Sequence, residues 1–85
     1  MDYQSQYWNE VAGPKWVASQ VAMDRFLAPH AEAILAATTI VAGQRVVEVG
    51  CGCGALALEA ARRGANSLGL DLSAPMLEHA RARAA

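Results

Sequence analysis

The sequence has no excess of charge of either sign. Seven Lys and Arg residues stand against eight Asp and Glu residues, which gives a net charge of −1. Proteins that bind a nucleic-acid backbone or an anionic membrane surface usually carry a basic patch. The composition therefore predicts neither of these partners.

Long apolar runs are also missing. No stretch approaches the roughly 18 residues that span a bilayer, and residues 1–6 lack the basic and then apolar pattern of a secretory signal. We therefore expect no membrane span and a cytoplasmic location.

Cysteine is scarce, and its placement excludes two kinds of site. Cys51 and Cys53 are the only cysteines, two positions apart. A disulfide over this spacing would be strained, and two thiols are too few for a structural zinc site. We predict no metal site and interpret both residues as small side chains in a tight turn.

What is present is 54% hydrophobic and 18% charged residues over 85 positions, typical of a folded chain of one domain at most. Residues 1–42 are predicted to form a helical leader. It has a polar start that ends in a turn at Gly13-Pro14, an amphipathic helix from Lys15 that ends at Pro29, and a short helix over 30–37.

Residues 43–85 predict an α/β unit. An apolar strand over 46–49 precedes a glycine loop, a helix over 55–63 follows, and a second strand covers 67–71. Ser73 is placed to cap the next helix. The first strand has little polar alternation, so we expect helices to cover both of its faces.

Two carboxylates are placed for ligand binding. Glu48 lies two residues before the first glycine of the loop, and Asp71 closes the second strand. Ligands of open α/β sheets bind outside the carboxyl ends of the strands, so both acids are predicted at one crevice. Asp71 at this position suits the two hydroxyls of a ribose.

The glycines alone leave the ligand open. Gly50, Gly52 and Ala55 fit the dinucleotide pattern G-x-G-x-x-A, whereas Gly50, Gly52 and Gly54 fit G-x-G-x-G. The carboxylate of Glu48 would repel the pyrophosphate of a nicotinamide dinucleotide. It suits S-adenosylmethionine (SAM), which has no phosphate and carries an ammonium and a sulfonium.

These motifs resemble those of a known family. The segment V-V-E-V-G-C-G-C-G at 46–54 is similar to the first motif of class I SAM-dependent methyltransferases, and G-L-D-L-S-A-P-M-L at 69–77 is similar to their second strand and following turn. The leader segments Y-W-N at 7–9 and G-P-K-W-V at 13–17 resemble small bacterial members near the quinone-biosynthesis methyltransferases. The resemblance implies the N-terminal part of a Rossmann-like α/β sheet, with 43–85 as a partial SAM-binding domain.

The resemblance also implies roles for single residues. The glycines would let the backbone approach the methionine part of SAM, Glu48 would orient its amino group, Asp71 would hold the ribose, and Leu72 and Met76 would contact the adenine. The predicted cofactor-binding residues are Glu48, Gly50, Cys51, Gly52, Gly54, Asp71, Leu72 and Met76. Tyr7, Trp8 and Trp16 are candidates for a lid, and His30 and His79 are expected at the surface.

The family's later strands and its acceptor-binding segments have no counterpart in the chain. We therefore expect a fragment of a longer enzyme that methylates a small molecule, and no measurable methyl transfer by the 85 residues alone. No catalytic residue, acceptor or oligomeric state is predicted. Two alternatives stay open: a fragment of an NAD(P)-dependent Rossmann oxidoreductase, and a non-catalytic module that binds a partner through Trp8 and Trp16.

Overall fold

A computed structural model describes residues 2–85. Helices form the first half of the chain, and a two-stranded parallel sheet with two more helices forms the second, which confirms the predicted α/β class. In chain order the elements are α1 (Tyr3–Gln6), a π-helical turn (Tyr7–Val11), α2 (Ala12–Ala18), α3 (Gln20–Thr38), β1 (Arg45–Val49), α4 (Ala55–Arg62), β2 (Asn66–Leu70) and α5 (Ala74–Ala84).

The turn predicted at Gly13-Pro14 is wrong, because both residues lie inside α2. Pro14 lacks an N–H, and its ring would clash with the carbonyl of Glu10 in a regular α-helix. The wider π-helical turn directly before α2 accommodates the proline. The leader is therefore helical from Tyr3 to Ala18.

The helix ends predicted around Pro29 are also wrong. The break falls at Ser19, which leaves the helical region with φ −104° and ψ 13°, and α3 then continues through Pro29 to Thr38. Pro29 removes one hydrogen bond from the carbonyl of Arg25, but both residues are exposed, so water can satisfy that carbonyl. Thr39, with φ 49°, ends the helix.

The sheet pairs β1 with β2 in parallel, from Arg45 opposite Asn66 to Val49 opposite Leu70. Since α4 lies between the two strands in the chain, they form the predicted βαβ unit. Gly43 and Gly64 take positive φ angles in the turns before β1 and after α4. Ser73 caps α5, because its hydroxyl accepts a hydrogen bond from the N–H of Met76 at 3.4 Å.

Within residues 2–85, helices cover only one face of the sheet, contrary to expectation. Ser67 on β2 donates to the carbonyl of Ala57 on α4 at 2.7 Å, and the residues on this face are half-buried. The opposite face is apolar and exposed, with Val49 at 83%. Its apolar part consists of Val47, Val49, Leu68 and Leu70, beside the polar Arg45 and Asn66. An apolar sequence pattern does not distinguish a covered strand face from an uncovered one.

The leader packs against the α/β unit through α2 and α5. Ser73 is fully buried at this contact, and its hydroxyl donates to the carbonyl of Trp8 at 2.7 Å. A side chain at Gly13 would overlap this carbonyl and the hydroxyl of Ser73. Gly13 therefore permits the close approach. None of the helices within residues 2–85 is both long and apolar enough to cross a lipid bilayer.

Candidate functional site

A cavity of about 1000 Å³ lies between the helical leader and the carboxyl ends of the two strands. All residues predicted to bind a cofactor are part of its wall: Glu48, Gly50, Cys51, Gly52, Gly54, Asp71, Leu72 and Met76. The leader contributes a second wall, with Gln4, Trp8 and Trp16 from its first part and Gln20, Met23, Asp24, Leu27, His30, Ala31 and Ile34 from α3. The fold thus brings distant parts of the chain to one site.

The glycine loop presents bare backbone to this cavity. It is anchored to β2, because the N–H groups of Gly50 and Cys51 both donate to the carbonyl of Leu70, at 2.7 and 3.0 Å. Gly52 has φ +56°, and a Cβ atom there would lie 2.9 Å from the Cε atom of Met76. A side chain at this position would be strained and would crowd the wall that Met76 forms.

Asp71 organises the loop as well as lining the cavity. Its Oδ2 atom accepts from the N–H of Gly52 and its Oδ1 atom from the N–H of Ser73, both at 2.8 Å. Each carboxylate oxygen can accept a second hydrogen bond. Asp71 therefore couples the loop to the start of α5 and keeps acceptor capacity for a ligand hydroxyl.

Glu48 carries an acceptor without a partner. Its Oε1 atom is buried, and no hydrogen bond reaches it from residues 2–85. Burial raises the pKa of Glu48, the N–H of Ala57 lowers it, and the negative charge of Asp71 raises it further. An unsatisfied buried carboxylate oxygen is costly. Glu48 also lines the cavity, so a cationic group bound there would compensate the charge of its carboxylate.

The two cysteines are buried free thiols. Burial raises the pKa of Cys51, as do the charges of Asp71 and Glu48. Burial also raises the pKa of Cys53, although the charge of Arg83 lowers it in part. Both residues are therefore thiols at neutral pH, as expected for small packing groups rather than nucleophiles.

The aromatic residues of the leader are only partly where a lid would need them. Trp8 and Trp16 line the cavity with ring centroids 6.4 Å apart, while Tyr7 packs edge-on against Trp8 and does not line it. His30 is exposed at the cavity wall. His79, expected at the surface, is half-buried and pairs with Gln20 at 3.1 Å.

Asn9 is a structural residue that the sequence did not reveal. Its amide donates to the carbonyl of Leu72 at 3.0 Å and accepts from the N–H of Ala74 at 2.8 Å. The side chain therefore bridges the leader to the turn between β2 and α5, directly after Asp71. The only signal was its place in the Y-W-N segment, which the family resemblance had included.

A second unexpected contact joins α5 to the glycine loop. Arg83 donates to the carbonyl of Cys53 and to Asp24 on α3, both at 2.7 Å. These residues lie 30 and 59 positions from Arg83. No local pattern in the sequence predicts such a contact.

Comparison with protein families matches residues 46–85 to the family described as "Methyltransferase domain". The matched segment, slightly under half of the chain, contains the glycine loop, Glu48 and Asp71. Neither the curated proteins nor the solved structures contained a match.

The matched segment and the observed topology agree. A parallel β1-α4-β2 unit followed by α5 corresponds to part of a Rossmann-like methyltransferase fold. The match supports a methyltransferase domain over residues 46–85. It does not distinguish the quinone-biosynthesis group from other members.

The residues present at the cavity fit SAM. The carboxylate of Glu48, a cavity-lining residue, suits the ammonium group, and the bare backbone at Gly50 and Gly52 leaves room for the amino-acid part of the cofactor. Asp71 retains acceptor sites for ribose hydroxyls. Cavities of this size commonly hold small molecules and cofactors.

Proposed function

We propose that the chain is the cofactor-binding part of a SAM-dependent methyltransferase that acts on a small molecule. When bound, SAM supplies a methyl group on a sulfonium, which a nucleophile of the acceptor takes by in-line displacement. The residues of this chain bind and orient the cofactor, and alignment is the main contribution expected of such an enzyme. The match of residues 46–85 supports the methyltransferase class.

The charge of the cavity wall is the observation that carries the proposal. Within the described residues, the wall contains the carboxylates of Glu48 and Asp71 and that of Asp24, whose charge is paired with Arg83 outside the wall, and it contains no Lys or Arg. A nicotinamide dinucleotide would bring its pyrophosphate to this acidic wall without a compensating cation. SAM carries two positive groups and one carboxylate, so the same wall attracts it.

We assign each predicted residue a role within this proposal. Glu48 accepts from the ammonium group, the backbone of Gly50, Cys51, Gly52 and Gly54 borders the methionine part, and Asp71 accepts from the ribose hydroxyls. Leu72 and Met76 border the adenine. Met76 is buried and touches the loop at Gly52, whereas Leu72 is exposed and offers an open apolar surface.

The remaining predictions belong to the same proposal. Residues 1–42 act as the leader and 43–85 as part of the SAM-binding domain of a longer cytoplasmic protein.

A binding competition tests the proposal. Labelled SAM is dialysed against the full-length protein with increasing NAD, and NAD is labelled in the reverse experiment. We expect SAM to bind with saturation and NAD to leave it bound. Displacement of SAM by stoichiometric NAD, or binding of NAD alone, would contradict the proposal. Asp71→Asn should lower the affinity for SAM about 10- to 100-fold, because charge-assisted hydrogen bonds are lost. Glu32→Gln on α3 is the control and should leave the affinity unchanged.

A further inference from the structure

Arg83 reaches from the last turn of α5 to the back of the glycine loop. One guanidinium nitrogen donates to the carbonyl of Cys53 and another to Oδ2 of Asp24, each at 2.7 Å. Both charged side chains are mostly shielded, with 21% of Arg83 and 30% of Asp24 exposed. Short, shielded contacts to an ionised donor are the strong class of hydrogen bonds.

Asp24 is itself held in place from a second side. The same Oδ2 atom accepts from the amide of Gln20 at 2.7 Å, and Gln20 also pairs with His79 on α5 at 3.1 Å. Two residues of α3 and two of α5 therefore form one connected network. The network ends on a backbone atom of the loop.

The two partners of the ion pair differ in their position relative to the cavity. Asp24 is part of the cavity wall, whereas Arg83 is not. The carboxylate thus contacts the guanidinium and borders the cavity. Without it, the positive charge of Arg83 would act on a cationic ligand through a shielded region in which charges interact strongly.

We propose that Arg83 and Asp24 are positioning residues for the cofactor, with two separable effects. Arg83 fixes the Cys53 carbonyl and so the shape of the glycine loop. Asp24 neutralises Arg83 on the cavity side, which lets a cationic cofactor bind beside an arginine. This inference rests on the proposed SAM function.

The two effects can be separated by comparing SAM with its demethylated product S-adenosylhomocysteine, which lacks the sulfonium charge. Asp24→Asn keeps an acceptor for Arg83 but removes the negative charge. The affinity for SAM should therefore fall roughly 3- to 10-fold more than the affinity for the product. Arg83→Gln removes the loop contact and the positive charge. The affinity for each ligand should fall about tenfold, and the ratio of the SAM affinity to the product affinity should rise.

Three further variants complete the design. The double variant Asp24→Asn with Arg83→Gln should restore the wild-type ratio of affinities while both ligands stay weak. Arg83→Lys should recover binding in part, because one ammonium cannot copy the fork that reaches both partners. Arg81→Gln, an exposed neighbour on α5, is the matched control and should change neither affinity.

A readout independent of the cofactor tests the loop contact. In the full-length protein, the carbonyl ¹³C resonance of Cys53 should shift in Arg83→Gln and stay in place in Arg81→Gln. An unchanged resonance, or equal weakening of both ligands by Asp24→Asn, would overturn the inference. If the wild type binds neither ligand, the proposed function and the charge effect fail together. The resonance still decides whether Arg83 holds the loop.

Discussion

Glu48 shows that a single residue of the cavity wall can carry a cost in stability. Its Oε1 atom is buried without a partner among residues 2–85, and burial raises the pKa of the carboxyl above the ordinary value of 4.5. Because the folded state holds this proton more tightly than the unfolded state, stability falls as the pH rises from about 4.5 through the raised pKa. Above that range the charged carboxylate is a destabilising group.

We therefore predict opposite effects of Glu48→Gln on stability and on affinity. At pH 7 the variant should have a higher free energy of unfolding in urea than the wild type, and the difference should vanish below about pH 4.5. Its SAM affinity should fall about 10- to 100-fold, since a neutral amide replaces the acceptor for the ammonium.

Glu78→Gln, at an exposed position of α5, is the matched control and should change neither quantity. A Glu48→Gln variant that is less stable at pH 7 would contradict the assignment of Glu48 as a destabilising buried charge. Unchanged SAM affinity would contradict its role toward the ammonium group.

Among the elements, the contact between α2 and α5 depends on the missing side chain of Gly13. A Cβ atom there would meet the carbonyl of Trp8 and the hydroxyl of Ser73, and it would lie 3.2 Å from the Cγ atom of Pro75. The first of these atoms belongs to backbone, and Ser73 is fully buried. The collision cannot be relieved by moving a flexible side chain.

Gly13→Ala should therefore lower the free energy of unfolding by about 1–3 kcal/mol and displace the leader from α5. Trp8 lies in the adjoining turn, so its fluorescence emission should move to longer wavelength as it becomes more hydrated. Gly43→Ala is the control, because it has φ +83° but nothing within 4 Å. It should cost stability through backbone strain and leave the tryptophan emission unchanged. Identical emission in the two variants would show that Gly13 is not needed for close packing.

The elements also show what a sequence can predict here. The strand, glycine loop and helix over 45–62 follow from apolar, glycine and alanine patterns that lie next to one another in the chain, and they were predicted closely. The bridges from Asn9 to Leu72 and from Arg83 to Cys53 were not, because they join segments 63 and 30 positions apart. The helix end predicted at Pro29 was wrong because a helix can continue through a proline when the carbonyl one turn earlier can bind water. The sequence pattern does not show whether that carbonyl is exposed.

At the scale of the whole molecule, the uncovered sheet face is the largest departure from expectation. Val47, Val49, Leu68 and Leu70 form one apolar surface on two adjacent strands. Contiguous apolar surfaces of this kind promote association when exposed to water. The patterns of the two strands alone had indicated burial on both faces.

We predict that the 85-residue chain self-associates through this face. Sedimentation velocity should show a weight-average mass that rises with concentration, and Val49→Lys should lower that rise by placing a charge at the most exposed residue of the surface. Val21→Lys on α3 replaces a valine that is 68% exposed and is the matched control. Equal effects of the two lysines would argue against the sheet face as the site of association.

The π-helical turn over Tyr7–Val11 makes the leader sensitive to length. Removing one residue within it would restore a regular helix and rotate the preceding turn by about 100° around the axis. Gln4 would then leave the cavity wall, and the Trp8 carbonyl would no longer point to Ser73. Insertions and deletions should therefore be far less tolerated at these five positions than substitutions, which is a criterion for aligning related chains.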